Sequence, residues 1–260
     1  MLASFAVYVA VVAGGCVNPT SPVDAVLNLV PVPQYGDLRA HEPTLVVLQH
    51  GLSRSAWSLW RLERALESHG YEVLNESYPS TQMRIEDHAE RLSRALEHRL
   101  AERRGPPPRL VFVGHSMGGL VIRSYLARPG ARHASACVFI ATPHHGATLV
   151  EKRKNLFVFG LFLGNKAALQ LERGNPFFDT LGPVPCDRVG CIYGGLGDDE
   201  GRNDDIPGDD DGTVSTTEAQ LEGQSDSIML PYGHTMLSMV DATIEQVLVF
   251  LYRGSFEHRK

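Results

Sequence analysis

Residues 110–127 read LVFVGHSMGGLVIRSYLA, and this stretch decides the fold. Leu110-Val111-Phe112-Val113 is a short unbroken apolar run, which predicts a strand buried on both faces. Leu120 to Ala127 continues as a helix, closed by Pro129-Gly130. Between the two lies Gly114-His115-Ser116-Met117-Gly118, with Gly119 following. Glycines two residues on either side of a serine allow strand and helix to pack around a strained turn. Such a turn pushes the Ser116 hydroxyl out above the sheet. The helix N-terminus then offers the N–H of Met117 to a developing oxyanion. The plainer alternative is a Gly-rich turn with a solvent-exposed serine. A bare five-residue match is common by chance, so the strand-then-helix context carries the reading.

The same rhythm runs outward from this turn. Thr44 to Gln49 predicts a buried strand, and Ser55 stands where it could N-cap a helix through Trp57, Trp60, Leu62 and Leu66. Tyr71 to Tyr78 predicts the next strand, stopped by Pro79. Ile85 to Arg104 is a charged amphipathic helix with Leu92, Leu96 and Leu100 on one stripe, ended by Gly105-Pro106-Pro107-Pro108. Ala136 to Ala141, Arg188 to Tyr193 and Ser227 to Leu230 predict further strands, and Met236 to Tyr252 a terminal helix. Strands alternating with helices predict an α/β domain over residues 24–260, its mostly parallel sheet covered by helices on both faces. Gly146 to Leu181 breaks the rhythm and predicts a helical cap or lid inserted over one end of the sheet.

Composition narrows the class. The chain has 260 residues, enough for one core, and is 43% hydrophobic, which excludes disorder as its overall state. A net charge of −6 makes nucleic acid a poor partner. No apolar run reaches the roughly 20 residues needed to span a bilayer as a helix.

Residues 1–22 read as an address. Met1 to Gly15 is uncharged and mostly apolar, Cys16 follows, and Asn18 to Pro22 is a turn-rich spacer. Ala13-Gly14-Gly15-Cys16 resembles a bacterial lipobox, in which Cys16 would be lipidated and hold an exported domain at a membrane. The lysine or arginine expected ahead of a signal's apolar run is missing. A plain N-terminal strand with a buried Cys16, in a cytoplasmic protein, is the alternative. Among the other cysteines, Cys137 reads as a buried inert thiol, and Cys186 and Cys191 are near enough to close a small disulfide loop after export.

Four blocks resemble the α/β-hydrolases, and within them bacterial lipases and esterases. They are Gln49-His50-Gly51-Leu52, Gly114 to Gly119, Ala141-Thr142-Pro143-His144-His145-Gly146, and Asp211-Gly212-Thr213-Val214 with Gly233-His234. The resemblance implies the α/β-hydrolase fold and the chain order Ser116, Asp211, His234 for nucleophile, orienting acid and base. It also implies Leu52 N–H as the second oxyanion-hole donor beside Met117, with His50 structural. His144 is the rival base, and Asp209 and Asp210 are the rival acids. His69, His88 and His98 lie in charged helices and read as solvated surface.

The implied activity is carboxylic-ester hydrolysis on substrates with an apolar acyl chain, small-molecule or lipid, with no cofactor and no metal. Acyl transfer or thioester cleavage by the same three residues is the alternative, and a non-catalytic binding module on this fold is a further one. His144, Phe157, Phe159 and Phe162 are candidate pocket residues, the aromatics belonging to an apolar cap that could also meet a membrane surface. Residues 198–211 carry eight carboxylates and one arginine, a loop that reads as solvated, with calcium the weaker alternative.

Overall fold

Thr44–Gln49 (β1) is buried at all six positions, as a run of Leu and Val with no polar alternation requires. It is the second strand of a sheet whose described strands run in the order β2-β1-β3-β4-β5-β6, all parallel. The others are Glu72–Asn75 (β2), Arg109–His115 (β3), Ala136–Ile140 (β4), Val189–Gly194 (β5) and Asp226–Leu230 (β6). This is a computed structural model, and it describes residues 35–153 and 166–258. The expected leader with Cys16, and Phe157, Phe159 and Phe162 of the expected cap, lie outside the described residues.

The helices follow from their faces. Trp60–Ser68 (α1) buries Leu62, Ala65 and Leu66; Ile85–Glu102 (α2) buries Ile85, Ala89, Leu92 and Leu96. Met117–Leu126 (α3) is buried at every position, which suits a helix apolar on nearly all sides. Thr148–Arg153 (α4) and Ala167–Gln170 (α5) lie in the inserted stretch. His234–Leu237 (α6) and Asp241–Arg253 (α7) close the domain. No described helix is long and apolar enough to cross a membrane.

Topology places the site. From β1 the chain passes to β2 on one side and then returns to β3 on the other, so the strand order reverses between β1 and β3. A crevice opens at the carboxyl ends of the two strands flanking such a reversal. Gln49 pairs with Gly114 in the β1–β3 register, so the turn at Gly51 stands beside Ser116.

Several expectations need correction. β2 has four residues, not eight: among the described residues it is an edge strand with β1 as its one neighbour, and Tyr78 leaves the sheet to bond His50. Ser55 makes no side-chain cap; a 3-10 turn, Ala56–Leu59, precedes α1 and Ser58 Oγ donates to the Ser55 carbonyl instead. The single terminal helix is two, separated by an extended Val240. Arg61 compensates the break, donating to the Met239 carbonyl at 2.5 Å and pairing with Asp241 at 2.6 Å. His69 and His88 are buried rather than solvated. His69 Nδ1 bonds the Ala65 carbonyl at 2.7 Å, serving the end of α1, and His88 lies on the inner face of α2 with its ring 4.7 Å from that of Tyr78. His98 is exposed, as expected.

Candidate active site

Ser116 sits between β3 and α3 with φ 55° and ψ −129°, a left-handed conformation that costs a residue with a Cβ about 1–3 kcal/mol. Three glycines permit it. A Cβ at Gly118 would strike the Gln49 carbonyl, one at Gly119 the Thr142 side chain, and one at Gly114 would lie 2.5 Å from the Gly119 nitrogen. The first turn of α3 is thereby pressed against β1, β3 and the turn after β4 at once. The Ser116 N–H also donates to the Ile140 carbonyl at 2.8 Å, so the strained residue is held from the neighbouring strand.

His234 opens α6 and reaches back to this turn. Its Nε2 lies 2.9 Å from Ser116 Oγ. Its Nδ1 lies 2.7 Å from Asp211 Oδ2. A carboxylate only accepts, so Nδ1 carries the hydrogen and the Nε2 lone pair is left for the serine hydroxyl. The other Asp211 oxygen accepts the N–H groups of Thr213 (2.9 Å) and Val214 (2.8 Å). The Asp211 side chain is 1% exposed and that of His234 13%. The two loops are joined a second time, His234 N–H donating to the Asp211 carbonyl at 2.8 Å. Gly194, at the end of β5, leaves the room: a Cβ there would collide with Tyr232 and Asp211.

The β1 turn comes equally close. A Cβ on Gly51 would stand 3.1 Å from that of Ser116. Neither the Leu52 nor the Met117 N–H donates to another group among the described residues. His50 is committed to structure. Its ring stacks on Tyr78 at 4.0 Å, its Nδ1–H donates to the Gly51 carbonyl at 2.9 Å, and its Nε2 accepts the Tyr78 N–H at 3.1 Å. Burial pushes its pKa down to about 4.

Residues 45–239 match the profile of the alpha/beta hydrolase family. The chain belongs to that family. The rice (Oryza sativa subsp. japonica) protein Esterase PIR7B is 29% identical over 152 residues. That match covers 53% of this chain and 56% of the rice protein, so the chain spans little more than half the length of that curated relative. Among solved structures, the mature form of the Bacillus licheniformis lipase BlEst2 superposes with a TM-score of 0.65 at 19% identity, over 85% of this chain and 96% of that one. Phospholipase PlaB from Legionella pneumophila superposes at 0.59 and 14% identity, over 82% of this chain and 60% of that one. At such identities the likeness speaks for the fold.

Within this alpha/beta hydrolase frame, the expected pocket residue His144 is buried, at 2% exposure. Its Nδ1 lies 3.3 Å from Arg123 Nη1, its Nε2 3.9 Å from Cys191 Sγ, and its ring stands edge-on to Phe139. Burial first, and the adjacent Arg123 guanidinium second, keep this imidazole neutral well below its usual range. The rival acids are also spoken for. Both oxygens of Asp209 accept amides of Leu196 and Gly197, and Asp210 accepts those of Arg202, Asn203 and Gly212. The acidic loop is thus folded on its own carboxylates. Among the described residues, no group of three or more His, Cys, Asp or Glu could hold a metal ion. Cys137, Cys186 and Cys191 are free thiols; Cys191 is directed at His144 from within β5, and Cys186 donates to the Arg188 carbonyl.

Two supporting residues escaped the sequence reading. Arg123 is buried in α3, without a carboxylate partner among the described residues, and donates to the carbonyls of His144 (3.2 Å) and Gly182 (3.0 Å); burial lowers its pKa to about 10. Glu218 is buried and accepts the Thr148 amide and hydroxyl with one oxygen and the Ser215 amide with the other. It binds the base of the inserted stretch to the segment following Asp211. An arginine inside GLVIRSYL and a glutamate in TTEAQ give no periodic signal apart from their neighbours.

Proposed function

We propose that the chain is a serine hydrolase of carboxylic esters in which Ser116 is the nucleophile, His234 the base and Asp211 its orienting acid. The observation that carries this reading is the unbroken Ser116–His234–Asp211 hydrogen-bond chain at 2.9 and 2.7 Å, on the strained turn of an alpha/beta hydrolase. As Ser116 Oγ attacks the ester carbonyl, its proton passes to His234 Nε2 and a tetrahedral oxyanion forms. Asp211, desolvated and fixed by two amides, holds the imidazole in the required tautomer and stabilises its cation. The amides of Leu52 and Met117 receive the oxyanion; each such donor is worth about 2.7–4 kcal/mol of barrier. His234 then protonates the leaving alcohol, and water attacks the acyl-enzyme by the same route in reverse.

The esterase and lipase relatives support ester substrates in particular. The apolar composition of residues 156–163 supports an acyl chain on the substrate. The test is a chain-length series of p-nitrophenyl esters with the wild-type protein and Ser116→Ala. Wild type turns over, with a preference that rises beyond acetate. The variant loses activity by about a millionfold, to background. Equal turnover by Ser116→Ala would refute the assignment. Partition of the acyl group to an added alcohol in preference to water would instead favour acyl transfer.

A further inference from the structure

His115 precedes Ser116 and is 2% exposed. Its side chain crosses to the far end of the chain: Nε2 lies 3.0 Å from the main-chain carbonyl oxygen of His234, and the two rings are 5.0 Å apart. A carbonyl only accepts, so Nε2 carries the hydrogen and Nδ1 is bare. Nδ1 is buried, has no partner among the described residues, and faces Gly51, where an added Cβ would stand 3.3 Å away. Burial first, then the adjacent His234, with Arg54 and His50 beyond, keep this imidazole neutral far below its usual range. It therefore has one N–H to give, and gives it to the backbone of His234.

The anchoring of His234 is then complete. Its N–H is held by the Asp211 carbonyl, its Nδ1 by the Asp211 carboxylate, and its carbonyl by His115. The first two ties fix it to the acid's loop, whereas the third fixes it to the strand that carries Ser116. Among the described residues, the third is the one hydrogen bond between β3 and the His234 loop apart from Ser116–His234 itself.

We propose that His115 is a positioning residue, tying the His234 carbonyl to β3 and so setting the separation across which the serine proton moves, an inference that rests on Ser116 and His234 being nucleophile and base. A displacement of about 1 Å at a reacting pair costs on the order of a hundredfold in rate, so such a tie has kinetic weight.

Three variants separate the N–H from the ring. In His115→Gln the amide nitrogen reaches the place of Nε2. In His115→Asn it stops near the place of Nδ1, and His115→Leu fills the volume without a donor. Two readouts are taken: kcat and KM on a p-nitrophenyl ester, and the far-downfield proton resonance of the His234–Asp211 hydrogen bond, which needs no turnover. Leu and Asn lower kcat by about tenfold to a hundredfold with KM within about twofold, and broaden or remove the resonance. Gln keeps kcat within about threefold of wild type and retains the resonance. Wild-type kcat and resonance in Leu or Asn overturn the proposal, as does a Gln variant as impaired as Leu. Circular dichroism identifies a variant that fails to fold; the Asn and Gln pair then decides. If no ester is turned over but the resonance follows the same pattern, His115 still positions His234 and the ester-hydrolase reading is the one that fails.

Discussion

Three consecutive aspartates, 209 to 211, show how position and not residue type sets a carboxylate's work. Asp209 holds an exposed turn, Asp210 is wholly buried and folds the acidic loop around itself, and Asp211 alone faces an imidazole. Their substitutions separate accordingly. Asp211→Asn keeps the shape and loses the charge and tautomer control, so kcat falls on the order of 10⁴-fold with KM little changed. Asp210→Ala strands three amides and lowers stability by about 3 kcal/mol, read as an earlier urea midpoint. Steady-state kinetics beside urea unfolding distinguishes the two. An Asp210→Ala variant with the larger kinetic loss and Asp211→Asn with none would reverse the roles.

At the level of elements, the junction of β1, β3 and α3 depends on glycines that admit no side chain. Gly118→Ala would set a methyl group against the Gln49 carbonyl, where backbone has to move. The expected loss is about 3 kcal/mol or more, with Ser116 displaced as well. A Gly118→Ala protein with wild-type Tm and activity would show that the junction is looser than described. This junction was legible in the sequence because an unbroken apolar run, paired glycines and a helix occur in sequence order. Asp211 and His234 were legible through resemblance to a family, since no periodicity marks them. Ties between distant loops were not legible. Arg61 meeting Met239, Glu218 meeting Thr148 and Arg123 meeting Gly182 depend on which polar groups the fold leaves bare. The histidines went wrong for a related reason: a charged helix face says nothing of the turn of the ring on its inner edge. His69 and His88 are the instances, expected at the surface and found buried.

The whole molecule carries the consequence of its buried imidazoles. His50, His115 and His144 are all held neutral, burial being the largest cause in each. In the unfolded chain they take up protons near pH 6.5, while in the folded protein His50 resists until about 4. Depressed folded-state values of this kind give stability that is fully present above about pH 6.5 and is lost as pH falls toward the folded values. The urea midpoint should therefore fall from about pH 7 to about pH 5, a window in which ordinary carboxylates remain mostly ionised, with a slope corresponding to more than one proton. A midpoint constant over that window would mean that these rings take up protons in the folded state.

The direct test of the nucleophile is the site of covalent capture. The purified protein is treated with a fluorophosphonate and the adduct is located by peptide mass spectrometry, in wild type, Ser116→Ala and His234→Ala. The account predicts one adduct on Ser116 in wild type, none in Ser116→Ala, and labelling slowed by at least about a thousandfold in His234→Ala. An adduct on another residue, or equal labelling without His234, would contradict it.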